Sequence, residues 1–168
     1  MATISTPLRP AAPEPERIDR FLATAAAALL AAVAVAIARG HAEWDRVPPI
    51  IWLHIVTVLA GVGLTPIMLL RRRGDRKHRV LGWIWSVALF LTALVSMFIR
   101  VRDPGHFSII HVLSVFTMIQ VPIIVGSARA HNVARHRRAV RGMVIGALLI
   151  AGFFTFTSGR LLQHWLFG

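Results

Sequence analysis

PIIWLHIVTVLAGVGLTPIMLL, residues 49–70, is an apolar run opened by proline and interrupted by one ionisable side chain, His54. At ~1.5 Å rise per residue, a helix of this length covers the ~30 Å hydrocarbon layer of a bilayer. The stretch therefore reads as a membrane span. Five segments qualify, at about 21–38, 49–70, 80–99, 107–128 and 142–158. A mean hydropathy of +0.66 and 56% hydrophobic residues fit a chain whose solvent is lipid. The expected fold class is an all-α integral membrane protein with five transmembrane helices.

The formal charge of +12 sits in the connections. RRRGDRKHR (71–79) carries six basic residues and one acid, and ARAHNVARHRRAVR (128–141) carries five and none. GHAEWDRVP and RVRDPGH are nearly neutral. The positive-inside rule places 71–79 and 128–141 in the cytoplasm, with the amino terminus inside and the carboxyl terminus outside. The basic residues form no aromatic-interleaved face, so the expected partner is the lipid bilayer and not nucleic acid. The sequence has no cysteine, which excludes disulfides and thiolate metal sites. No carboxylate falls inside a span, so a carboxylate proton relay and hydrolytic chemistry both lack their parts.

Residues 1–17, MATISTPLRPAAPEPER, read as a flexible cytoplasmic tail, and 18–168 as the membrane domain. The first span ends AVAVAIA, with Ala36 and Ala38 placed as at a signal-peptidase site. Its length, and Glu14, Glu16 and Asp19 before it, favour a retained helix.

Two stretches run in parallel. WLHIVTVLAGVGLTP leads to basic residues and KHRVLG; IIHVLSVFTMIQVP leads to basic residues and RHRRAVRG. His54 precedes Pro66 by 12 positions and His111 precedes Pro122 by 11; His78 follows His54 by 24 and His136 follows His111 by 25. The pattern suggests four helices bundled as two parallel helix-pair repeats. His54 and His111 then lie at one level, about 6 to 8 Å below the outer boundary. His78 and His136 lie near the cytoplasmic ends of the third and fifth spans.

An imidazole in a span is costly, which points to a working site or an interhelical hydrogen bond. Two neutral imidazoles on opposed helices suit axial ligation of haem iron. His54 and His111 would be the ligands of a haem b, His78 and His136 a second pair, and Arg160, Arg100 and Arg102 partners for propionates. Val58, Gly61 and Thr65 share the face of His54, with Gly61 leaving room for a macrocycle; Ser114, Val115 and Met118 share that of His111. The role implied is electron transfer with a quinone or membrane redox partner. Two other readings stay open: a non-catalytic scaffold or assembly factor in which histidines tie helices together through Thr57, Ser114 and Gln120, and copper handling at His54 and His111. Gly142 and Gly146 suggest close helix approach. The five tryptophans suggest an aromatic belt. Oligomeric state leaves no mark in the sequence.

HIVTVLAGVGLTP, KHRVLGWIW, FSIIHVLSVFTMIQVP, HRRAVRGMVIG and the closing TSGR resemble the bacterial multi-pass membrane family known as domain-of-unknown-function family 2306, over about residues 50–162. His136 and Met143 occupy places comparable to a histidine and a methionine of that family's second basic loop and following helix. The resemblance implies the bacterial cytoplasmic (inner) membrane and brings no activity with it. Four-helix b-type cytochromes offer a looser likeness of architecture alone.

Overall fold

The structure is a computed structural model that describes residues 14–99, 109–157 and 159–168. Among these the elements are helical throughout, and five helices are long and apolar enough to cross a membrane. α1 spans Arg17–Arg39, α2 Pro49–Leu70, α3 Arg76–Ser96 and α4 Ile109–Arg129. Val133–Met143 continues through a π-helical stretch, Val144–Ile150, into Ala151–Thr157, making one 25-residue helix, α5. A 3₁₀ segment, Gly40–Arg46, follows α1, and a short helix, α6 (Leu161–Phe167), follows α5.

Local chemistry sets these limits. Pro49 opens α2, where its missing N–H would be unsatisfied in any case. Asp75 caps α3, accepting the His78 N–H at 2.6 Å, after a turn in which Gly74 takes φ +86°. α4 ends at Arg129. His131 there adopts φ +54° and the Asn132 N–H reaches back to the Ser127 carbonyl at 3.0 Å, the six-to-one bond of a Schellman motif. Asn132 then caps α5 by accepting the Arg135 N–H at 3.0 Å.

Each helix packs on the next, and the π-helical part of α5 packs on α1, closing a ring of five. α1 is therefore a full member of the assembly and not an accessory to a four-helix bundle. In the half of the ring nearer the basic connections, Leu22, Leu69, Trp85, Ile124, Met143 and Val144 fill the interior. At the opposite end a smaller cluster of Ala36, Val47 and Trp165 holds α6 against α1.

Several sequence expectations are revised. The expected helices at 80–99 and 142–158 begin earlier, at Arg76 and Val133, because Asp75 and Asn132 supply caps and the basic residues behind them are helical. The stretch 128–141 is consequently a three-residue turn between two helices and not a long loop. Trp85 (3% exposed) and Trp165 (5%) are interior, not belt, residues. Gly61 makes room for a neighbour's side chain instead of a macrocycle: a Cβ there would lie 2.7 Å from Leu89 Cδ2. Gly142 and Gly146 do accommodate α4, with Gln120 Nε2 and Phe116 Cε1 placed 3.4 Å and 2.9 Å from where their Cβ atoms would be. Arg100, Arg102 and the start of the expected fourth span at Phe107 lie outside the described residues.

Candidate functional site

A cavity of about 670 Å³ occupies the half of the ring that the apolar core leaves unfilled. All five long helices line it. Leu29 and Val33 come from α1, Val58 and Val62 from α2, Leu89 from α3, and Leu148 and Phe156 from α5. The volume falls in the range of small-molecule sites, about 300 to 1,000 Å³, and the wall follows their habit of apolar lining with a few convergent polar groups.

Those polar groups sit together. His54 from α2 and His111 from α4 both line the cavity, with Thr92, Ser96, Ser114 and Arg160. α2 packs on α1 and α3 while α4 packs on α3 and α5, so the two histidines come from helices separated by α3. His54 lies beside the Thr92 backbone and within Coulombic reach of Arg160. Its Nδ1 is buried and has no hydrogen-bond partner among the described residues, as is true of Thr92 Oγ1. A buried donor or acceptor left unmade costs roughly 1 to 3 kcal/mol. Of the residues grouped with the histidines by helical spacing, Val58 and Ser114 line the cavity. Thr65 is turned to α3, and Val115 is 45% exposed.

His78 and His136 occupy the basic end. They come from α3 and α5 and are close enough to act on one another electrostatically. His136 Nδ1 lies 3.1 Å from the Ile124 carbonyl. A carbonyl only accepts, so Nδ1 carries the proton of this bond. Gln120 Nε2 likewise donates to the Ala139 carbonyl at 3.1 Å, a tie from α4 to α5. Thr57 makes no such tie, since its hydroxyl bonds to the Leu53 and His54 carbonyls of its own helix.

A group that spacing does not reveal closes the same end. Asp19 is 1% exposed and accepts from Arg73 Nη2 at 2.6 Å and Arg141 Nε at 2.8 Å, with Arg137 at 3.8 Å. Glu16 pairs with Arg141 at 2.6 Å and also with Arg137. Glu16, the N-cap of α1, and Asp19, in its first turn, thus bind α1 to the 71–75 turn and to α5. At the other end Trp165 Nε1 donates to Glu43 at 2.9 Å.

Among the described residues there is no cluster of three or more His, Asp or Glu side chains placed to hold a metal ion. Two histidines fall short of the ligand set of a closed zinc site. Comparison with protein-family models, curated proteins and solved structures returns no match.

Proposed function

We propose that this multi-pass membrane protein binds haem b in the ring cavity and serves in electron transfer. His54 and His111 would hold its iron through their imidazoles. The observation that carries the reading is that two histidines from separated helices face one cavity whose remaining wall is mainly apolar. Arg160, which lines the same cavity, would be the cation for a propionate. Haem, when bound, would supply one-electron redox chemistry. The chain's own part would be to present and orient ring nitrogens and exclude water with Val58, Val62, Leu148 and Phe156. His78 and His136 make a second candidate pair, and a quinone or membrane redox protein is the expected partner. The reading includes the bacterial inner membrane, the basic end toward the cytoplasm and the likeness to family 2306, each supported by charge placement and motifs in the sequence.

The test is the absorption spectrum of full-length protein expressed with ample haem. A Soret band that disappears in both His54→Ala and His111→Ala is expected. Colourless, folded protein overturns the haem reading.

A scaffold role is favoured by one specific observation: His136 and Gln120 already spend their polar atoms on carbonyls of neighbouring helices. Under it, His54 would do the same toward Thr92. Copper handling would appear instead as copper, not iron, in elemental analysis of the purified protein.

A further inference from the structure

The basic residues of α5 divide between two faces. Arg137 and Arg141, at i and i+4, turn to Glu16 and Asp19. Arg135 and Arg138, at i and i+3, turn away and line a separate groove of about 500 Å³ with Gln120, Ile123, Asn132 and Ala134. No carboxylate lines the groove. The nearby acids are engaged elsewhere, Glu16 and Asp19 with the other arginines and Asp75 with Arg71 at 2.9 Å. Two guanidinium groups are thus gathered over a concave surface with no carboxylate among the described residues that line it.

The groove's depth matters as much as its charge. Gln120 and Ile123 belong to the apolar part of α4, whereas Arg135 and Arg138 belong to the first turns of α5, so the groove straddles the level where hydrocarbon gives way to headgroups. Ile119 (59% exposed), one turn from Ile123 on the same face of α4, continues that apolar surface away from the arginines. A free anion has no use for those side chains, whereas an acyl chain below a phosphate does. The geometry points to a binding site for the phosphate headgroup of an anionic phospholipid, with Arg135 and Arg138 on the phosphate and Ile119 and Ile123 along the chain. This stands independently of the cavity and of whatever fills it.

Native mass spectrometry of the full chain, delipidated in mild detergent and then supplied with phosphatidylglycerol or phosphatidylcholine, tests it. Wild type is expected to retain phosphatidylglycerol preferentially. Arg135→Gln/Arg138→Gln should weaken that retention about thirtyfold, taking each arginine near a charged headgroup at about 1 kcal/mol. Arg76→Gln/Lys77→Gln removes the same charge from exposed positions on α3 and should leave retention within a few fold. Ala134→Trp fills the groove without changing charge and should reproduce the loss even where the double arginine variant folds poorly. Equal loss in the α3 control, or none in Ala134→Trp, would reduce the effect to diffuse surface charge and overturn the site. Displacement of the lipid by inorganic phosphate alone would identify a soluble anion as the ligand and overturn it as well.

Discussion

Asp19 Oδ1 accepts the Arg141 Nε proton at 2.8 Å, joining residues 122 positions apart, while Oδ2 holds Arg73 at 2.6 Å. One carboxylate therefore fixes α1 to α5 and to the turn between α2 and α3. Without it, Arg73, Arg137 and Arg141 would be left at the basic end with Glu16 as their acidic partner.

Asp19→Asn is accordingly expected to destabilise the fold by about 3 kcal/mol, the cost of breaking a buried pair by removing one partner. Unfolding in detergent, followed by circular dichroism, measures it. Glu14→Gln, at an exposed carboxylate, is the control and should be neutral. Equal stability of the two variants would show that the network contributes nothing net.

Acid should loosen the same end. The Arg141 guanidinium, and after it Arg137, hold the Glu16 carboxyl below its ordinary 4.5. Arg71, and then the His78 N–H, hold Asp75 below its ordinary 3.8. A carboxylate depressed on folding gives stability that is present above its unfolded value and lost as pH falls through its folded one. The contribution of these two carboxylates should thus be lost, and thermal midpoints fall, as pH drops below about 4.5. The fall should be shallower in Glu16→Gln. A midpoint that rises on acidification contradicts the pairing.

Inside the ring, Trp85 Nε1 donates to Thr65 Oγ1 at 2.9 Å, and that hydroxyl passes its own proton to the Gly61 carbonyl at 2.8 Å. Thr65→Val keeps the shape and orphans the indole N–H; Trp85→Phe removes the donor but leaves a smaller ring. A double-mutant cycle should return a coupling of about 1 kcal/mol, at the upper side of interhelical hydrogen bonds measured in membranes. A coupling of zero would mean that water or another acceptor replaces Thr65.

How far the sequence led depends on the range of the interaction concerned. The α2 limits, Pro49 and Leu70, are legible because proline at the start and RRRG at the end are local signals. The early start of α5 was obscured by charge: RHRR looks like loop until Asn132 is recognised as a cap and Arg137 and Arg141 are seen to have partners. Those partners lie more than a hundred residues away, beyond the reach of any spacing rule. The cavity that His54 and His111 both line depends also on α1 and α6 and has no local mark in the sequence. Gly61 was misjudged because a helical face says which residues point together, not which neighbour they meet.

Gly40 shows the same dependence at the opposite end. A Cβ at this position would run into the indole ring of Trp165, which packs flush on the Gly40 backbone and is fixed by its bond to Glu43. The ring is rigid and 5% exposed, so it has no rotamer to escape into without leaving the cluster. Gly40→Ala should cost about 1 to 3 kcal/mol and release Trp165, read as increased quenching of its fluorescence by acrylamide. Gly126→Ala, with nothing within 4 Å of the added carbon, should be silent. If the loss comes from this collision, Gly40→Ala should cost almost nothing further in a Trp165→Ala background. An undiminished cost there would trace it to the backbone of the 3₁₀ segment and not to the tryptophan.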